Sequence, residues 1–252
     1  MTTLTLVGGI PRAGKSSLCD AVEAAGLGFT HVPLDRYVLP VPAGRAFLEW
    51  IATPACIAWD LLLAHLDLLE AGVPCYSPRP AWERDWREWD CAGGALTRGA
   101  GRRMEPAAAG YLLAGTHAFA CPPQRLPTLR VFVRTPLAVV AERLTGLPHD
   151  RRAARAVVRA RLAPNTAALL RARHQAEAVV DGTARRAEQV RSFLDAHAHA
   201  FPGTAPVPPN EASKWAERSV SWSHAGRFPA PGSAGERAAA HEGEPGSATR
   251  GH

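Results

Sequence analysis

The segment Gly9-Ile10-Pro11-Arg12-Ala13-Gly14-Lys15-Ser16 constrains this chain more tightly than any other. It has the form G-x-x-x-x-G-K-[ST], and the apolar run Leu4-Thr5-Leu6-Val7-Gly8 leads into it. Behind it, Leu18, Ala21, Val22 and Ala25 recur at the spacing of one helix face. The motif therefore lies between a strand predicted over 3–8 and a helix predicted over 15–25, the context in which such a bend wraps an anion. Glycines let the backbone curl so that N–H groups converge, and the start of the helix adds partial positive charge. The pattern predicts phosphate contacts from Gly9, Arg12, Ala13, Gly14, Lys15, Ser16 and Ser17. Lys15 is expected to reach the β- and γ-phosphates, and the Ser16 hydroxyl to ligate Mg²⁺. The plain alternative is a glycine-rich turn with an incidental lysine. Against it, the lysines of this chain are Lys15 and Lys214, and every other Lys/Arg position is arginine. A lysine at this place points to a need for a compact point charge.

Composition narrows the partners. At 252 residues and 46% apolar, the chain has material for one α/β domain with some surplus. The formal charge of +6 comes from arginine and fits an acidic substrate such as a nucleotide. Nucleic acid is not expected, because Lys/Arg-rich blocks interleaved with aromatics are missing. The five cysteines, at 19, 56, 75, 91 and 121, form neither C-x-x-C nor a zinc spacing, so a reducing cytoplasm is the expected setting. No basic n-region opens the chain. The most apolar stretch, 57–69, is interrupted by Asp60, His65 and Asp67, so no membrane span is expected. Oligomeric state is left open.

Taken in order, Gly26-Leu27-Gly28 should stop the first helix. A second strand is predicted over 29–34, running into Asp35-Arg36-Tyr37. Residues just past the ends of parallel strands face the ligand crevice, which places Asp35 on the same edge as the loop; a turn or capping aspartate is the bland reading. A helix is predicted within 54–71, with Ile57, Leu61, Ala64, Leu68 and Ala71 on its buried face, widened by Leu62, Leu66 and Leu69. Asp60 reads as a solvated or locally bonded helix carboxylate. Residues 73–76 read as extended. Trp82, Trp86 and Trp89 fall at helical spacing, which suits either a helix pinned to the core or a wall around a substrate. Arg98, Arg102 and Arg103 read as a solvated loop.

Further strands are predicted over 110–115 and 129–133, the first leading to Thr116-His117 on the ligand edge. A helix over 137–144 follows, with Val140 and Leu144 inward. Arg152, Arg155 and Arg159 lie three to four apart, on one helical face. They form either a solvated face or, over about 147–173, a lid that closes on a triphosphate. A last strand and turn are predicted over 178–183 and a closing helix over 184–197. From 201 onward Pro, Gly, Ser and charged residues dominate, the composition of a disordered tail over 201–252. Strands alternating with helices through 1–200 imply a doubly wound, mainly parallel five-stranded α/β sheet.

The chain resembles the uridine kinase and phosphoribulokinase group of P-loop kinases. The resemblance spans residues 3 to about 198, and among its pieces only the loop is specific alone. Leu6 through Leu18 is similar to that group's opening. Val32-Pro33-Leu34-Asp35-Arg36-Tyr37 looks like its second-strand ending, where an aspartate acts as base on the acceptor hydroxyl. Tyr111 to Phe119 looks like the strand that normally ends in Glu-Gly. Val131-Phe132-Val133-Arg134-Thr135-Pro136-Leu137 with Glu142-Arg143-Leu144 is similar to the strand and helix leading into the lid, and Ala176 to Thr183 looks like the last strand. One departure stands out: Ala114 occupies the place of the acid before Gly115. Mg²⁺ would then rest on Ser16, Asp35 and water, or on Glu83, Asp85 or Glu105 swinging in; catalysis could also be weakened.

The resemblance implies ATP- and Mg²⁺-dependent phosphoryl transfer to a hydroxyl of a small molecule, a nucleoside or other sugar-like compound. Lys15 would hold the phosphates, Asp35 would orient or deprotonate the acceptor, and Arg152, Arg155 and Arg159 would neutralise the moving charge. The rival is a nucleotide-binding regulatory ATPase, favoured by Ala114. A GTPase lacks support, since neither N-K-x-D nor D-x-x-G after a strand is present. A dinucleotide oxidoreductase would need G-x-G-x-x-G at the loop.

Overall fold

Strands buried on both faces should read as near-continuous apolar runs, and the central run Gly110-Tyr111-Leu112-Leu113-Ala114 does. In the computed structural model, which describes residues 1–79, 101–145 and 166–204, β1 (Thr3–Gly8) is buried at every position. The chain divides into a unit Met1–Ser219, which holds all the described residues, and a unit Val220–His252. The predicted tryptophan-rich segment, Glu83, Asp85, Arg98, Arg152, Arg155, Arg159 and the tail beyond Thr204 lie outside the described residues.

The remaining strands are β2 (Phe29–Pro33), β3 (Cys75–Tyr76), β4 (Arg103–Met104), β5 (Gly110–Ala114), β6 (Thr128–Arg134) and β7 (Ala178–Asp181). Five of them form one sheet in the order β2-β5-β1-β6-β7, with every pairing parallel. Val7 lies opposite Ala114 on one side and Val131 on the other, and Ala114 lies opposite Pro33. The chain places β2 and β5 to one side of β1, then β6 and β7 to the other. The strand order thus reverses at β1, and a doubly wound sheet opens its ligand crevice at the carboxyl ends around that point. The helices are α1 (Lys15–Ala24), α2 (Phe47–Trp50), α3 (Trp59–Glu70), α4 (Leu137–Thr145), α5 (Thr166–Gln175) and α6 (Arg186–Ala200).

Alternation along the strands builds two cores. Leu4, Leu6, Val32, Tyr111 and Leu113 pack with Leu62, Leu66 and Leu69 of α3. Val7, Leu112, Val131 and Val133 pack with Leu18 and Val22 of α1 and with Val190 and Phe193 of α6. This is the predicted doubly wound α/β architecture, with the five-stranded sheet parallel throughout. Gly26 closes α1 in the left-handed region at φ 69°, where a side chain would be strained.

Three expectations are corrected. The buried stripe of α3 is Leu62, His65, Leu66 and Leu69; Ala64 and Ala71 are exposed, and Leu68 is 40% exposed. The predicted face was anchored on Ile57, but Ile57 precedes the helix and bridges Val38 in extended form, so the helical count starts later. Second, an antiparallel pair of β3 and β4 interrupts the α/β alternation; two-residue strands leave no periodic signal. Third, Arg102 and Arg103 are more than a solvated loop. Arg102 pairs with Glu23 and, at 3.3 Å, with Asp20, while Arg103 pairs with Glu105 at 2.9 Å. Asp60 is exposed in the first turn of α3, as expected. No helix among the described residues is long and apolar enough to cross a membrane.

Candidate functional site

The bend between β1 and α1 is shaped by its backbone. Gly9 has φ 149°, and a Cβ there would lie 2.7 Å from the Val133 carbonyl, so no other residue fits without displacement. Arg12 takes φ 64° and Gly14 φ 103°. Inside the bend, the Ala13 N–H donates to the Ile10 carbonyl at 3.1 Å. The loop carbonyls are tied off from outside. Thr135 Oγ1 donates to Ala13 O at 2.8 Å. Arg143, on α4, donates from Nη1 to Arg12 O at 3.1 Å and Ala13 O at 3.3 Å, and from Nη2 to Gly182 O at 3.0 Å. Gly182 must be glycine, because a Cβ would fall 2.0 Å from Thr135 Oγ1.

Among the described residues, the amides of Gly14, Lys15, Ser16 and Ser17 have no backbone acceptor, and the first intrahelical bond runs from Leu18 N to Gly14 O at 2.9 Å. Such unmet N–H groups at the start of a ten-residue helix suit an anion. Lys15 is 7% exposed and its Nζ donates to Ile10 O at 2.9 Å. Burial pulls its pKa below the usual ammonium value, opposed by the charge of Asp35. The ammonium thus closes back on its own loop. Ser16 and Ser17 are exposed on the first turn of α1.

Asp35 is exposed on a 3₁₀ turn, Leu34–Tyr37, directly after β2. Its charge acts on Lys15, on His117 and on Cys56, whose thiol is pushed up to about 11 first by burial and then by Asp35. The structure thus brings Lys15, Ser16 and Asp35 to one edge, as expected from their places in the chain. Ala114 is 1% exposed and offers no carboxylate. Glu105 does not replace it: its carboxylate is paired with Arg103, and its backbone carbonyl accepts from Thr30 Oγ1 at 2.8 Å, near the opposite end of β2. Among the described residues no group of three or more His, Cys, Asp or Glu could hold a metal. The free amides, the buried ammonium and the exposed Ser16 hydroxyl fit a nucleotide phosphate chain; Mg²⁺ there would depend on Ser16, Asp35, phosphate oxygens and water.

Thr135, Arg143 and Gly182 escaped the sequence reading. Each acts on the loop through backbone atoms more than a hundred residues away in two cases, and no local pattern marks such a contact.

No protein-family model and no curated protein matches this chain. Among solved structures it is similar to a possible uridine kinase from Bacillus stearothermophilus, at 12% identity and TM-score 0.40, covering 71% of this chain and 89% of that one. It is also similar to a gluconokinase from Sinorhizobium meliloti 1021, at 16% identity and TM-score 0.40, covering 88% of this chain and 98% of that one.

Proposed function

We propose that this chain is an ATP-dependent phosphotransferase that moves the γ-phosphoryl group to a hydroxyl of a small, sugar-like molecule such as a nucleoside. The observation that carries this reading is the loop itself, with two of its carbonyls bonded by Thr135 and Arg143, four amides at the helix start that have no backbone acceptor among the described residues, and a buried lysine within reach of the Asp35 charge. The amides and Lys15 bind and orient the phosphates, and Ser16 holds Mg²⁺. Mg²⁺, when bound, supplies charge neutralisation on the phosphate oxygens. Asp35 orients the attacking hydroxyl and takes its proton at a carboxylate oxygen. Arg152, Arg155 and Arg159 supply positive charge to the moving group from a closing lid. Free thiols at Cys19, Cys56 and Cys75 support a cytoplasmic setting.

Asp35→Asn keeps the shape of the side chain and removes the base. It is expected to cut acceptor-dependent turnover by about a hundredfold or more while leaving ATP binding intact. Unchanged turnover removes Asp35 from the mechanism. The rival reading, a regulatory ATPase, draws on the apolar Ala114. ATP consumption measured with and without a pool of hydroxyl compounds separates the two, since only a phosphotransferase responds to the acceptor.

A further inference from the structure

β5 lies between β1 and β2, with Val7, Ala114 and Pro33 at one level. Residues after Ala114 therefore leave the sheet between the start of the phosphate loop and the turn that carries Asp35. They are held tightly there. Gly115 N donates to Val7 O at 3.1 Å, and a Cβ on Gly115 would sit 2.6 Å from Leu34 Cβ. On the other side, a Cβ on Gly8 would sit 2.9 Å from the Phe119 ring. His117, which lies between Gly115 and Phe119 along the chain, is 6% exposed.

One nitrogen of its ring is accounted for. His117 Nε2 lies 2.8 Å from the Ile51 carbonyl. A carbonyl only accepts, so Nε2 carries the proton, and the neutral ring must present Nδ1 as an acceptor. Nδ1 has no partner among the described residues. It is not among the ring nitrogens buried without a partner, which among the described residues are His31 Nε2 and His197 Nδ1. The environment favours this neutral form: burial pulls the His117 pKa down and Lys15 adds to it, against the Ile51 hydrogen bond and the Asp35 charge.

We propose that His117 is a second polar contact for the molecule that receives the phosphoryl group, its Nδ1 lone pair accepting a hydrogen bond from a hydroxyl or N–H of that molecule. This role rests on the phosphotransferase reading above. Lys15 and the loop amides serve the phosphate side, and Asp35 serves the reacting hydroxyl. An acceptor atom on His117 serves a second donor on the same substrate. The substrate class is therefore a molecule with at least two donor groups, a polyhydroxylated sugar or nucleoside in preference to a simple alcohol.

Two substitutions separate the functions of the two ring nitrogens. In His117→Gln the amide nitrogen takes the place of Nε2 and can keep the bond to Ile51, while the acceptor at Nδ1 is lost. In His117→Asn the amide oxygen stands near the Nδ1 position. Phosphate transfer from labelled ATP by the full chain is measured over adenosine, cytidine, guanosine, uridine, D-ribose, D-glucose and D-gluconate. With the best acceptor, H117Q is expected to raise the acceptor KM about tenfold, with the KM for ATP and the Tm unchanged. H117N is expected to recover part of that loss. An acceptor KM within twofold of wild type in H117Q, or a parallel rise in the KM for ATP, overturns this role and leaves the phosphotransferase reading standing. No transfer by wild type to any of these compounds overturns both. Should H117Q not fold, the Nδ1 nitrogen resonance of His117 in wild-type protein is expected to shift on adding the best acceptor, and a resonance that stays in place overturns the role.

Discussion

Burying an ammonium is costly unless something offsets the lost hydration. Lys15 has one carbonyl at hydrogen-bond distance and the Asp35 charge farther off. That is thin compensation without an anion in the loop. Lys15→Met, which keeps length and removes charge, is therefore expected to leave the nucleotide-free protein as stable as wild type or more so, by up to about 1 kcal/mol. The same change should abolish the rise in Tm that ATP with Mg²⁺ produces in wild type. Thermal unfolding with and without nucleotide reads both effects. A marked loss of stability in the nucleotide-free variant would show that Lys15 is held for the fold and not for phosphate.

At the scale of elements, Arg143 connects α4 to the phosphate loop and to the turn after β7 through three backbone carbonyls. A planar guanidinium spans them at once; a lysine ammonium cannot. Arg143→Ala is expected to loosen the loop, raising the KM for ATP about tenfold with a smaller change in kcat, and Arg143→Lys should rescue it poorly. Steady-state kinetics with varied ATP checks this. The corrected face of α3 is tested in the same spirit. Leu66→Ala removes a side chain that is 1% exposed and should cost about 2–5 kcal/mol. Leu68→Ala, at a position 40% exposed, should stay within about 0.5 kcal/mol. Urea unfolding of both variants decides which stripe faces the sheet.

At the scale of the whole molecule, three histidines among the described residues are held neutral by burial: His65 against Tyr37, His117 at the ligand edge, and His197 bonded to Thr3 Oγ1. Burial pulls each below the usual imidazole pKa. In the unfolded chain they protonate near ~6.5, so below that pH the unfolded state binds more protons than the folded one. Stability is therefore expected to fall as pH drops through this window, and to flatten once the folded pKa values are passed. Urea midpoints at pH 7.5 and 5.5 measure the loss. Asp20 acts in a lower window. Burial pushes it up, but His31 and Arg102 outweigh that and hold it below the usual carboxylate value; its contribution is lost only as acid protonates it.

Much of this was legible in the chain alone. The loop motif, the strands at 3–8, 110–115 and 129–133, and the edge position of Asp35 follow from local pattern, because parallel buried strands and phosphate loops impose residue types on consecutive positions. The sequence by itself determined a parallel α/β sheet with a nucleotide-type loop and placed Lys15, Ser16 and Asp35 on its edge. Tertiary structure alone decided that Thr135 and Arg143 tie off the loop carbonyls, that Glu105 is spent on Arg103, that α3 turns Leu68 outward, and that His117 Nε2 is engaged by the Ile51 carbonyl while its Nδ1 has no partner among the described residues. These depend on contacts between residues distant along the chain, and on backbone atoms common to every residue type, neither of which leaves a mark in the order of side chains.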